Sequence, residues 1–201
     1  MFNKVKISSL KRNRLKDLLI KTTHQKVLSF FLAHPTQSFY GSEISKKIGI
    51  SIGQTSQVLN GLFKAGLVKK ERKGKTELYN IVADFPVLKT YKVLNTLVSI
   101  APLIEKLQNV SKRIILYGSC AKGINTDESD LDLFITSNYA EKVLDIISHY
   151  AYEEYYGFSE IRPVIKKAVE WLVLEEKDPV FYNELQKGIL LYEKEIDESR
   201  L

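Results

Sequence analysis

A chain of 201 residues with 44% apolar content is long enough for one large domain or two small ones. Its longest apolar stretches, such as Val27–Ala33 and Ile114–Tyr117, fall short of the roughly eighteen residues a membrane span needs, and its single cysteine, Cys120, excludes an intrachain disulfide and a cysteine-based zinc site. The net charge of +6 divides unevenly: residues 1–90 hold seventeen Lys/Arg against five Asp/Glu, and residues 91–201 hold thirteen against nineteen. A basic first half favours a polyanion such as nucleic acid, an acidic second half with clustered carboxylates favours divalent cations, and the lone cysteine fits a reducing cytoplasm.

The chain opens on a basic segment, Lys11–Lys21, in which charge alternates with leucine and no apolar core or cleavage site follows, so it does not read as a secretion signal. From Thr22 the spacing of Val27, Leu28, Phe31 and Leu32 predicts a helix that His34-Pro35 ends. Ser42 is placed to cap a second helix, Glu43–Ile48, which Gly49 breaks, and Ser51 to cap a third, Ile52–Ala65. The third helix is expected to bury Val58, Leu59, Leu62 and Phe63 and to turn Gln54, Thr55, Gln57, Asn60 and Lys64 outward. Leu67–Arg72 and Thr76–Val82, around Lys73-Gly74, read as a hairpin.

Three helices followed by a hairpin make the pattern of a winged helix-turn-helix. The stretch "YGSEISKKIGISIGQTSQVLNGLFKAGLVKKERKGKTELYNI" resembles the winged-helix domains of prokaryotic regulators related to the ArsR and MarR groups, over about Thr22–Val82. The resemblance implies a double-stranded DNA partner, with Ile52–Lys64 as the recognition helix and its Gln54, Thr55, Gln57, Asn60 and Lys64 at base edges. Lys69, Lys70, Arg72, Lys73 and Lys75 would then place phosphate contacts on the wing. The open alternative is a helix-turn-helix used for protein contact, with the lysines as a solvated face.

Pro86 begins an amphipathic segment with Leu88, Tyr91, Leu94, Leu97, Val98 and Ile100 at helical spacing, which Pro102 is expected to interrupt. It reads as a linker helix, its apolar stripe serving as core, interdomain contact or homodimer seam. Ile114–Tyr117 is then a buried strand ended by Gly118, which lets backbone N–H groups approach a phosphate, while the Ser119 hydroxyl adds a hydrogen bond. A short helix and a loop lead to a second strand on which Leu131, Leu133 and Ile135 point one way and Asp130 and Asp132 the other. Two carboxylates sharing a face repel unless a cation compensates, and Mg²⁺ (or Mn²⁺) bridging them to the phosphates of a nucleoside triphosphate is the natural compensator.

"GSCAKGINTDESDLDLFI" resembles the signature of the DNA polymerase beta-type nucleotidyltransferases, in particular the minimal nucleotidyltransferase domains of prokaryotes, through Gly118, Ser119, Gly123, Ser129, Asp130 and Asp132. The resemblance covers about Leu103–Leu191 and implies transfer of a nucleoside monophosphate to a hydroxyl acceptor, with Asp130 and Asp132 as metal ligands and catalytic carboxylates. It also implies nucleotide contacts from Gly118, Ser119, Lys122 and Ser129, with Lys122 standing where arginine is commoner. Active members carry a third carboxylate on a later strand; here Glu160 can fill that catalytic role, or Arg162 can occupy the position, leaving a site that binds nucleotide without efficient turnover.

The expected architecture is α/β of the α+β kind: a winged helix-turn-helix over residues 1–85, a linker helix over 86–108, and a small mixed-sheet nucleotidyltransferase domain with flanking helices over 109–201. The leading function is a DNA-binding regulator carrying a Mg-nucleotide site, in the cytoplasm, with no membrane partner. Two alternatives stand beside it: an antitoxin-like enzyme that modifies a protein or RNA acceptor, and a catalytically dead nucleotide-binding or dimerisation module. His24, His34 and His149 lack ligand spacing, Cys120 lacks a histidine partner, Tyr150, Tyr152, Tyr155 and Tyr156 read as packing, Trp171 as core, and the acidic run Glu193–Glu198 as a solvated helix end.

Overall fold

The computed structural model describes residues 22–150 and 157–194, and the main division of the chain into two compact units falls between Ser99 and Ile100. The basic segment Lys11–Lys21, Tyr152, Tyr155, Tyr156 and the acidic residues 195–198 lie outside the described residues.

In the first unit, helix α1 (Thr23–Ala33) opens on a reciprocal cap: the Thr22 hydroxyl accepts from the Gln25 N–H at 3.3 Å, and the Gln25 side chain accepts from the Thr22 N–H at 3.0 Å. It buries Val27, Phe30 and Phe31 completely. Strand β1 (Phe39–Tyr40) leads into α2 (Gly41–Ile48), which starts earlier than a Ser42 cap predicts. The reason is electrostatic: the Glu43 carboxylate reaches back to the Tyr40 N–H at 2.7 Å, so Tyr40 holds the capping position. Helix α3 (Ile52–Lys64) begins where Ser51 Oγ accepts from the Gln54 N–H at 3.2 Å.

Strands β2 (Val68–Lys73) and β3 (Thr76–Ile81) form the expected hairpin, with Lys73 opposite Thr76. Gly74 at φ 68° is the one turn residue with positive φ, which suits a type II′ turn. The sheet order is β1-β3-β2, all antiparallel. Phe30, Phe31, Phe39, Ile44, Leu59, Leu62, Tyr79 and Leu88 belong to one core that holds helices and hairpin together.

Helix α4 (Pro86–Leu107) corrects the expectation that Pro102 interrupts: it runs through the proline for 22 residues. Proline removes one intrahelical N–H bond, and burial on both sides of it, Ile100 before and Leu103, Ile104 and Leu107 after, keeps the chain helical. Among the described residues this is the one helix apolar and long enough by composition to cross a membrane, and half of its most apolar window is buried inside the protein.

The second unit is built on β4 (Arg113–Tyr117), β5 (Leu131–Thr136), β6 (Ile161–Lys166) and β7 (Ile189–Glu193), ordered β6-β5-β4-β7. β4 pairs antiparallel with β5 and β7, and β5 pairs parallel with β6, so the sheet is mixed, as expected. The parallel pair needs a crossover, and α6 (Ala140–Ser148) lies within that connection, after the short α5 (Gly118–Lys122). Helices α7 (Ala168–Leu172), α8 (Leu174–Lys177) and α9 (Pro179–Gln186) follow β6. They cover the sheet through Trp171, whose ring lies 5.3 Å from Phe134 and 5.5 Å from Tyr182. Pro163 sits in β6, an edge strand, where its missing N–H is tolerated.

Candidate functional site

Antiparallel pairing places Tyr117, the last residue of β4, opposite Asp132 near the start of β5, so Gly118 turns away beside the paired aspartates. Gly118 has φ 71°, and a Cβ built on it falls within 3.0 Å of Asp132 Oδ2. The positive φ is what requires glycine here, and a Cβ would also push the Asp132 carboxylate aside. Leu131, Leu133 and Ile135 are fully buried on one face of β5, and Asp132 lies at the start of the other face, ahead of the buried Phe134, with Asp130 just before the strand.

The surroundings of the two carboxylates differ. Asp130 Oδ2 is held by Arg162 Nη1 at 2.7 Å, and Asp130 Oδ1 accepts from the Ser159 hydroxyl at 2.9 Å. Asp132 has neither a hydrogen bond nor a salt bridge from the described residues. Burial, then the charge of Asp130, pushes its carboxyl above the usual carboxylate range, with Arg162 pulling the other way. Tyr117 is pushed up to about 12, by burial first and Asp132 second.

Parallel register sets Asp132 beside Arg162 and Leu131 beside Ile161, and the Leu131 N–H donates to the Glu160 carbonyl at 2.8 Å. Glu160 therefore stands next to Asp130 at the strand ends, yet its Oε1 accepts from Arg162 Nε at 2.6 Å. Of the two residues weighed for the position next to the aspartates, Arg162 is the one in register with Asp132.

The loop from α5 to β5 is braced from inside. Ser129 Oγ accepts from the Thr126 N–H at 2.8 Å, and Ser159 N–H donates to the Ser129 carbonyl at 2.7 Å. Lys122 turns to Glu184 on α9 at 2.5 Å, a pairing 62 residues apart that lowers the Glu184 carboxyl. Cys120 is fully buried and its thiol faces the Asp130 carbonyl at 3.4 Å, so it is part of the packing under the loop. Ser159 and Glu184 were invisible to sequence inspection, because each acts only through a partner distant in the chain.

A divalent cation fits part of this donor set. Asp132 and Asp130 project from one strand face beside the Gly118 cradle, as suits one hydrated Mg²⁺ that also takes phosphate oxygens. Among the described residues no group of three His, Cys, Asp or Glu has the geometry to hold a metal by itself. The described histidines lie elsewhere: His34 Nδ1 contacts the Phe30 carbonyl at 2.8 Å and His149 pairs with Asp145 on α6.

On the first unit, Gln54, Gln57, Asn60 and Lys64 of α3 are exposed, as are Lys69, Lys70, Arg72, Lys73 and Lys75 of the hairpin. Thr55 is a correction: it is fully buried, its hydroxyl donating to the Ser51 carbonyl at 3.0 Å, so it cannot face a ligand. Phe63 reverses in the other sense, 41% exposed with the Lys70 ammonium 4.8 Å from its ring centre. Lys70 also pairs with Glu77 at 2.8 Å, which lowers the Glu77 carboxyl, and the Tyr79 hydroxyl donates to the same group. A concavity of about 540 Å³ lies between the starts of α2 and α3 and the hairpin, lined by Tyr40, Ser42, Ser56, Arg72 and Lys75 among others.

Residues 99–197 match the family model described as polymerase beta, nucleotidyltransferase. The match takes in Gly118, Ser119, Asp130, Asp132, Glu160 and Arg162, and supports nucleotidyl transfer as the general chemistry of the second unit. No curated protein and no solved structure matches the chain.

Proposed function

We propose that the second unit binds a nucleoside triphosphate together with Mg²⁺ (or Mn²⁺), in the manner of a nucleotidyltransferase, and that the first unit is a winged helix-turn-helix holding duplex DNA. The protein is then a DNA-binding regulator that carries a nucleotide site. The observation that carries the nucleotide half is the cradle where β4 ends and β5 begins, where a glycine at positive φ faces a carboxylate pair that is repelled within itself. A cation bridging those carboxylates to a phosphate tail relieves that repulsion, supplying the positive charge that steadies phosphoryl oxygens in transfer. Asp130 and Asp132 would hold it, Gly118 and Ser119 would lie against the phosphates, and Lys122 and Ser129 would keep the loop in place.

The DNA half rests on the order helix, helix, helix, hairpin around one core, and on a cluster of exposed Lys and Arg on the elements that flank a groove. Turnover is the weaker part of the enzyme alternative, because Glu160, the candidate base for a protein or RNA acceptor hydroxyl, is engaged by Arg162. That pairing favours nucleotide sensing.

Calorimetry with ATP, GTP, CTP and UTP in the presence of Mg²⁺ tests the nucleotide half. At least one should give heat, and Asp130→Asn with Asp132→Asn should abolish it; silence from all four would sink the proposal. Incubation with labelled triphosphates then separates transfer, which leaves label on an acceptor, from sensing, which does not.

A further inference from the structure

We infer that Arg162 is a built-in cation that limits this site to a single divalent ion per bound nucleotide, an inference that rests on the nucleotide proposal above. Asp130 and Asp132 share a face at the start of β5, and Glu160 lies beside Asp130 where β6 begins. Into their midst the parallel register delivers one guanidinium, level with Asp132 and on the face shared with Asp130. Its Nη1 holds Asp130 Oδ2 at 2.7 Å and its Nε holds Glu160 Oε1 at 2.6 Å. The planar fork thus spans two different carboxylates, which a lysine ammonium on a flexible stem would not do.

The ligand supply follows from those bonds. Asp130 also accepts from the Ser159 hydroxyl at 2.9 Å, so Arg162 and Ser159 leave it lone pairs for the one ion it would share with Asp132 and none to spare for a second, while Glu160 Oε1 already serves Arg162. A second ion would also have to sit against a permanent positive charge, since guanidinium does not lose its proton in proteins. Asp132, with no bonded partner among the described residues, remains as the anchor for the one ion the nucleotide brings. Arg162 supplies in fixed form the charge that a second ion would otherwise carry.

The side chain of Arg162 is 62% exposed, so its removal leaves the core untouched and variants at this position should fold. The test is a count of Mn²⁺ ions per bound nucleotide, by electron paramagnetic resonance, with the α,β-methylene analogue of whichever triphosphate gives heat in calorimetry. Wild-type protein should hold one. Arg162→Asp, which sets a carboxylate in register with Asp132, should hold two, with the second site at least about tenfold tighter than any in the wild type. Arg162→Gln, which frees the carboxylates without adding a ligand, should bind a second ion weakly, and thermal melting confirms that both variants are folded. Two ions in the wild type, or one in both folded variants, overturns the inference and leaves the nucleotide proposal standing. Failure of every triphosphate to bind wild-type protein overturns both.

Discussion

At Gly118 an added side chain would meet two obstacles, the left-handed backbone and the carboxylate of Asp132. Adding a methyl group at Gly118 strains a backbone at φ 71° and drives a Cβ into Asp132 Oδ2. Gly118→Ala should therefore cost about 1–3 kcal/mol of stability and at least most of the nucleotide affinity. Gly74→Ala in the hairpin is the control: its φ of 68° is similar, but nothing lies within 4 Å of the new Cβ, so only the backbone cost of about 1 kcal/mol applies. Denaturant melts of both variants separate steric from backbone effects.

Asp132 carries the opposite lesson, that a residue proposed to bind the ion is held at the expense of the fold. Its carboxyl lies above the usual range, by burial first and by Asp130 second, so ionisation is disfavoured in the folded state relative to the unfolded. The sign follows: that penalty is fully present above the folded pKa and vanishes as the pH falls below the unfolded value of about 3.9. Asp132→Asn should raise the melting temperature of the ion-free protein near neutral pH by about 2–4 °C, the gain disappearing in acid, while abolishing Mg-nucleotide binding. A melting temperature unchanged or lowered at pH 7 would contradict the assignment.

Elements were legible in the sequence where their signals are local. The cap at Ser51, the glycine stop after α2, the Lys73-Gly74 turn and the alternation at the start of β5 each speak through residues within four positions of one another. What failed was decided by one competing contact. Glu43 outbid Ser42 for the start of α2, burial on both sides carried α4 through Pro102, and the Thr55 hydroxyl bent back onto the Ser51 carbonyl. Near the carboxylate pair, the strand, glycine and aspartates were readable, but Ser159 and Glu184 were not, because strand register and helix placement bring them in from afar. Thr55 supplies a test of α3 as the proposed recognition helix. Thr55→Val, which keeps the volume and loses one hydrogen bond, should leave DNA affinity within about twofold, whereas Gln57→Ala or Asn60→Ala should cost about 1–3 kcal/mol on the preferred sequence. Gel shifts on matched and scrambled duplexes read both effects.

At the scale of the whole molecule, charge is arranged against the sequence average. The first ninety residues carry a surplus of twelve positive charges and the remainder a surplus of six negative ones, which on the proposed function would draw a polyanion and a hydrated cation to different parts of one chain. Affinity for DNA should then obey the release of counterions from phosphates. Five basic side chains stand on the hairpin, but Lys70 is already paired with Glu77 at 2.8 Å and must give up that partner before it can serve a phosphate. Roughly four contacts give a slope of log affinity against log salt of about −4. Reversing Lys70, Arg72 and Lys73 to glutamate should flatten the slope to about −1 or less and remove most binding, whereas Asp130→Asn with Asp132→Asn should leave it unchanged, since those residues bear on a different ligand. Fluorescence anisotropy across a salt series measures all three proteins, and binding that ignores salt in the wild type would remove DNA from the account while leaving the nucleotide site as argued.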